Sequence, residues 1–506
     1  MCWPKHGSCS GVPIRRVLLR MRSLRIGAWV VAIVGIMVLV IWPLYAGMVA
    51  CTDDISMLQS AIGRRGIATM VADAWRAPFF RPLYELSASM VDQRTRDARA
   101  VLALQFSGMA AVLAGLVVGL RRVTPCWREA APFGLAWWFL HSPTSVSLWQ
   151  ADTASQTWSA AAGVWLLIAT DNALQERQKS SFRHVVILLA VLLFGLATKE
   201  TFLGWCVSAA ILVFVRRAPL RRTWPILALL TMIPATYLAV RLATTPLGQL
   251  AFGGNPGNRY RLGLDLGLFR NLLVAALGVL AIGPIHAIAQ GSAVWMRVLL
   301  CLGAGLTCAV CALPLFQHRP RTREWQTGAW SAGLSTIATL PALTGSHVSE
   351  LYLMGPNVGL ALWFAISAGE LVAVHSPRLR LAFGASILLL AALVALTGLA
   401  SRCQHFAQTW ASSRVLTAEI IEALRHAPTE PLIVMLGTDC AAGQHYSVYV
   451  TSPADALNPQ STERHLNATR RPLLAPVHIV IADRALPEVD SGRVRKLDCD
   501  RLFARP

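Results

Sequence analysis

The sequence predicts an all-α polytopic membrane protein carrying a small α/β domain at its C-terminal end. Hydrophobic residues fill 55% of the 506 positions and charged residues only 14%, against roughly 25% charged in soluble domains. Apolar runs recur along the chain, and a bilayer core about 30 Å thick asks for about 20 such residues per helical span. Lys and Arg outnumber Asp and Glu by 46 to 26. They gather in short clusters between the runs and not along one amphipathic face, so they read as topology signals and exclude a nucleic-acid-binding chain.

The first run, Ile26 to Ala50, follows a basic stretch containing Lys5, Arg15, Arg16, Arg20, Arg22 and Arg25. The positive-inside rule places that stretch, residues 1–25, in the cytoplasm. The run is too long for a signal-peptide core and no small-residue cleavage site follows it promptly, so it is expected to stay as an anchor. Further runs lie at Val101 to Leu120, Ala131 to Trp149, Ala154 to Thr170, His184 to Thr198, Thr201 to Val215 and Thr223 to Val240. The basic clusters Arg121/Arg122, Arg177 to Arg183 and Arg216 to Arg222 follow every second span, which is the alternation a polytopic chain should show.

Beyond Val240, runs lie at Leu272 to Ala289, Val298 to Phe316, Trp325 to Leu343, Leu351 to Val374 and Leu381 to Ala400. If all five crossed, "HRPRTREW" (His318 to Trp325) and "HSPRLR" (His375 to Arg380) would face outward against the rule. Leu272 to Ala289 contains Gly278, Gly283 and Pro284, and making it re-entrant or interfacial restores the parity. The expectation is eleven full spans plus that segment within a membrane domain, 26–400. The tail, 401–506, is polar and contains the strand-like "LIVML" (Leu432 to Leu436) and "HIVIA" (His478 to Ala482). It reads as an extracytoplasmic α/β lobe, with Cys440 and Cys499 able to pair if the compartment is oxidising.

Parity gathers several polar junctions on one outer face. The first loop, 51–99, carries Asp53 and Asp54 directly after the first span, then "APFFRPLYEL" (Ala77 to Leu86) with Arg81. Its amphipathic stretches suggest helices along the membrane surface, and ordinary solvation accounts for most of its arginines. Lys199 and Glu200 in "LATKETF" stand between two short spans with almost no loop. Charges so placed are expensive unless they face a partner or a cavity. Either they pair with each other and cap the helix ends, or Lys199 reaches an anionic head group with Glu200 orienting it. His141 and Asp152 in "FLHSPTSVSLWQAD" form a third junction, and His347, Glu350 and Tyr352 a fourth.

This set suits a lipid-phosphate donor whose head emerges from the membrane. A carboxylate there can deprotonate a hydroxyl nucleophile or hold a divalent cation. Arg81 and Lys199 can neutralise a phosphate, and the leaving phosphate gains charge in the transition state, where fixed cations stabilise it preferentially.

The Asp-Asp pair, "FRPL" (Phe80 to Leu83), the "HSP…W" junction, "TKET" and "HVSELYLMGPNVG" (His347 to Gly359) occur in an order that resembles the GT-C membrane glycosyltransferases. The likeness is nearest to the O-mannosyltransferase branch associated with tetratricopeptide repeats and to its bacterial relatives, and it covers about residues 25 to 375. It implies a GT-C-like fold and transfer of a sugar from a polyprenyl-phosphate carrier to an acceptor outside the cytoplasm, in a cell inner or plasma membrane. Carried over by position, Asp54 or Asp53 would be the general base, or the pair would hold Mg or Mn. Arg81 and Lys199 would bind the donor phosphate, and Glu200, His141, Asp152, His347, Glu350 and Tyr352 would shape the pocket. Gln105 stands where relatives commonly have His, and no 34-residue helical repeat follows the membrane domain. A transporter or flippase of a lipid-linked or anionic substrate, or a non-catalytic assembly protein, stays open as an alternative.

Overall fold

A computed structural model describes Met48, residues 67–76, 81–92, 97–141, 153–175, 181–216, 218–244, 267–280, 294–316, 323–338 and 353–374, together with Ser386 and scattered positions between 407 and 497. The chain divides into two units, Met1–Ala46 and Gly47–Pro506, and every described residue belongs to the second. The expected first span apart from Met48, the run Leu381 to Ala400 apart from Ser386, and the pair Cys440/Cys499 lie outside the described residues.

Two short helices come first, α1 (Ile67–Arg76) and α2 (Pro82–Met90), followed by ten more: α3 (Arg99–Val123), α4 (Trp127–Leu140), α5 (Ala154–Gln175), α6 (Ser181–Leu196), α7 (Phe202–Val215), α8 (Leu220–Thr244), α9 (Gly267–Leu280), α10 (Val294–Phe316), α11 (Arg323–Ile337) and α12 (Met354–Val374). Two of the described helical stretches, Arg99–Val123 and Thr223–Arg241, are long and apolar enough to cross a membrane by length and composition. Eleven such spans were expected. Several of the other runs form shorter helices: α6, α7 and α9 have 16, 14 and 14 residues, the last being about 21 Å long at 1.5 Å per residue.

The expected span Ala131 to Trp149 is corrected at both ends. The helix begins at Trp127 and stops at Leu140, where His141 turns to extended backbone (φ −70°, ψ 141°). The chain reaches Pro143 two residues later, and proline cannot continue a helix.

The bundle is apolar on its outside. Phe182 of α6, Phe214 of α7, and Leu220, Trp224 and Met232 of α8 are each more than 65% exposed. The buried faces instead carry Gln105, Thr153, Ser155, Gln156, Thr157, Ser159 and Ser208 beside alanines and glycines. Large apolar groups facing outward and small polar ones packed inward suit a hydrocarbon surround, where helices associate through small residues and interhelical hydrogen bonds.

α3 and α5 run parallel. Trp158 Nε1 donates to Leu104 O and Trp165 Nε1 to Ala111 O, each at 3.0 Å, so the partners advance together by seven residues on both helices. Gln105 Nε2 donates to Thr153 Oγ1 (3.1 Å) at the starting end, and Arg122 reaches Asn172 at the other. α7 lies parallel to α5 in the same sense, with Thr201 beside Gln156 and Ser159 at its start and Arg216 beside Asp171 at its end. All three helices therefore start at one end of the bundle and finish at the other. α12 packs against α4 and α11 and closes the group.

Near the C-terminus, β1 (Leu432–Leu436), β2 (Val477–Ile481) and β3 (Arg493–Leu497) form a parallel sheet in the order β2-β1-β3. The expected strands coincide with β1 and, shifted by one residue, with β2. Leu432, Ile433, Val434 and Met435 of the central strand are all buried, as the unbroken apolar run of a parallel strand covered on both faces requires. A helical stretch over 410–420 precedes the sheet.

Candidate functional site

The starting end of α3, α5 and α7 collects the charges. Arg81 stands immediately before α2, whose first residue is Pro82. Proline at the first helical position is pre-set for the turn, and it forces the residue before it out of the helical region. Arg81 accordingly has φ −131° and ψ 66°, while its carbonyl accepts from Tyr84 N (3.0 Å) and Glu85 N (3.2 Å). The "RPL" motif thus sets where the guanidinium leaves the backbone.

That guanidinium meets Glu200. Arg81 Nε donates to Glu200 Oε2 at 2.7 Å and Nη2 donates to Oε1, a two-point pairing of fork and carboxylate. Glu200 occupies the turn between α6 and α7, where Phe202 N bonds to Lys199 O and Leu203 N to Glu200 O, each at 3.0 Å. Two glycines let this turn close. A Cβ on Gly195 would sit 2.2 Å from the ring of Phe202, and one on Gly204 would sit 2.0 Å from the carbonyl oxygen of Ala338 in the segment following α11.

Lys199 is 9% exposed, whereas the Glu200 side chain keeps 28%. Burial pushes the Glu200 carboxyl up, but the opposing charges of Arg81 and Lys199 outweigh it and hold the group below its ordinary value. The arrangement therefore keeps Glu200 ionised, with two cations around one carboxylate.

Around this group lies a layer of polar side chains: buried Gln105 and Thr153 bonded to each other, and half-buried Thr201 within reach of Gln156 (3.4 Å) and Ser159 (3.2 Å). His141 is buried, and its Nε2 lies 2.9 Å from Val279 O of α9. A carbonyl only accepts, so Nε2 carries the proton there. Trp137, one turn earlier, packs on the His141 ring at 5.7 Å and donates to Asn357 Oδ1 of α12 at 3.2 Å. His141 thus docks the end of α4 on α9.

Of the residues singled out from sequence, Arg81 and Glu200 come together in direct contact, Lys199 adjoins them, and His141 is engaged with α9. Asp53, Asp54, Asp152, His347, Glu350 and Tyr352 lie outside the described residues. Glu85, in the same first loop, was given no role from sequence, yet it is only 6% exposed. Gln156 and Thr201 carried no signal, because isolated amides and hydroxyls in apolar runs are common.

The described residues contain no group of three or more His, Cys, Asp or Glu side chains able to hold a metal ion. No family model matches the sequence, and no curated protein matches it. Among solved structures, the crystal structure of ArnT from Cupriavidus metallidurans bound to undecaprenyl phosphate is similar over 79% of this chain and 73% of that one, at 15% identity and a TM-score of 0.44. A likeness of that degree carries no argument about chemistry, and the functional reading rests on this chain's own residues.

Proposed function

We propose that the protein is a GT-C-like membrane glycosyltransferase that moves a sugar from a polyprenyl-phosphate carrier to an extracytoplasmic acceptor, a protein hydroxyl or a cell-surface glycan or lipid. The observation that carries this reading is the meeting of Arg81 and Glu200, 119 positions apart, with Lys199 beside them. It unites two of the motifs on which the family resemblance rests.

The chemistry follows from charge. A sugar linked to a polyprenyl phosphate is a phosphodiester with one negative charge, and its leaving group, a phosphomonoester, carries close to two. Among the described residues Arg81 and Lys199 set two cations beside Glu200, and cations so placed stabilise the departing phosphate more than the bound donor. Glu200 orients the Arg81 fork, and Lys199 supplies a point charge. The acceptor hydroxyl attacks the anomeric carbon, the bond from that carbon to the phosphate oxygen breaks, and the hydroxyl proton passes to Asp54 or Asp53. Met48 supports this placement, since its carbonyl accepts from Ala98 N at the start of α3 (3.3 Å). Asp53 follows five residues later, a reach of at most ~18 Å.

Where the two aspartates hold Mg or Mn, the ion would add to the same neutralisation. The deciding experiment compares membranes of a deletion strain complemented with wild type, Asp54→Asn or Asp53→Asn. Transfer is expected to vanish with one of them while folded protein stays in the membrane, and a polyprenyl-phosphate sugar should accumulate. Full transfer by both variants would remove the base, and an unchanged lipid-linked sugar pool in the deletion strain would remove the enzyme.

A further inference from the structure

The finishing end of α3, α5 and α7 holds a second charged assembly. Asp171 of α5 lies 2.7 Å from Arg216 Nε through Oδ1 and 3.7 Å from Arg122 Nη1 through Oδ2. Arg122 also donates to Asn172 Oδ1 (2.5 Å) and to Ile168 O (3.4 Å), so its fork is held against α5. Asp171 is only 7% exposed. Arg121 is exposed and has no hydrogen-bonding or ionic partner among the described residues.

Beside this cluster opens a cavity of about 850 Å³ between α3, α5, α7, α11 and α12. Its wall carries apolar groups, among them Gly119 of α3, Val164 of α5, Leu212 of α7 and Leu362 of α12, beside the hydroxyls of Thr327, Ser331 and Ser335 of α11. Its charged lining is three arginines, Arg121, Arg122 and Arg216, against the single Asp171, with Trp127 and Trp330 nearby. A soluble anion would gain nothing from the apolar walls, and a neutral hydrocarbon nothing from the arginines. An amphiphile with a phosphate head uses both. Basic pockets between helices recognise anionic lipid heads in this way, and tryptophans prefer the interfacial depth where such a head lies. The cluster also sits at the end of the bundle opposite Lys199 and Glu200, about 22 Å away along the 15-residue rise from Thr201 to Arg216, so it cannot belong to the site described above.

We propose that this cavity holds an anionic phospholipid, its phosphate on Arg121 and Arg216 and one acyl chain along α3 at Gly119 against Leu362. Asp171 keeps Arg122 and Arg216 in place without neutralising the site. The lipid fills the space between α3, α5 and α7 on one side and α11 and α12 on the other, and so ties these helices together.

The test uses the full-length protein in nanodiscs of phosphatidylglycerol or of phosphatidylcholine, with native mass spectrometry of the retained lipid and thermal unfolding as readouts. Wild type should retain one phosphatidylglycerol through detergent exchange and unfold at a higher temperature in that lipid. Arg121→Gln should weaken retention about tenfold, the loss expected for one charge-assisted hydrogen bond. Gly119→Leu provides the second variant. A Cβ there meets only Leu362 Cδ1, at 3.8 Å, so the side chain enters the cavity without displacing backbone and should exclude the lipid. Equal retention by wild type and both variants, or no preference between the two lipids, overturns the proposal. Inorganic phosphate that alone reproduces the stabilisation in phosphatidylcholine discs would show a free-anion site and overturn the lipid assignment.

Discussion

Arg81 and Glu200 share two hydrogen bonds, one from Nε at 2.7 Å and one from Nη2, although 119 residues separate them in sequence. Pro82 fixes where the arginine leaves the chain, and the tight turn after α6 fixes the carboxylate. Removing either partner strips the other, a half-buried charge, of its two-point pairing, which costs more than the intact pair contributes. Glu200→Gln and Arg81→Gln are each expected to lower transfer, and the double variant to lose far less than the sum of the two. A double-mutant cycle on initial rates measures this, and strict additivity would show that the two act separately.

The same pair predicts an acid limb in stability. Its carboxyl is held below the ordinary value of 4.5 by Arg81 and Lys199 against the pull of burial. A group whose folded value is depressed stabilises the fold above its unfolded value, and that contribution is lost as pH falls through the folded one. Wild-type protein in detergent should lose melting temperature as pH drops below about 4.5, and Glu200→Gln should show a shallower loss over the same window.

Lys199 is expected to act on the rate of transfer more than on donor binding, because charge grows on the phosphate only as the sugar leaves. Lys199→Ala should lower kcat by roughly 10²–10³, the loss found when one preorganised donor to a developing anion is removed. Lys199→Arg should not restore it fully, since a guanidinium is a planar fork and not a compact charge. A change confined to KM would assign Lys199 to ground-state binding instead.

Gly204 sets how closely α7 approaches the segment after α11. With a Cβ 2.0 Å from the carbonyl oxygen of Ala338, Gly204→Ala must push the two apart. We expect destabilisation of ~1–3 kcal/mol, typical of overpacking, seen as a lower melting temperature. Gly305→Ala is the control, because a Cβ there meets nothing within 4 Å.

Much of the architecture was legible in the sequence because apolar periodicity and length are local properties. The strands Leu432–Leu436 and Val477–Ile481 could be read from short β-branched runs bounded by polar segments. Arg493–Leu497, "RVRKL", could not, since a strand with three basic residues lacks the apolar alternation that marks one. The end of α4 at Leu140 was overrun because the apolar character of the sequence continues to Trp149, while backbone geometry stops the helix before Pro143. At the site, sequence placed Lys199 and Glu200 together and expected Glu200 to orient the lysine. The structure gives the carboxylate to Arg81, a choice of partner made by tertiary packing. The burial of Glu85 and the pairing of Gln105 with Thr153 were invisible for the same reason.

The two tryptophan bonds that fasten α5 to α3 stand seven residues apart on both helices, which is nearly two full turns. A slide of one helix past the other by a single turn would have to break both at once, together with the Gln105 bond to Thr153. These two helices therefore behave as one beam that keeps the charged end at Lys199 and the charged end at Asp171 at a fixed separation. Any sliding along the bundle axis must therefore carry both helices together.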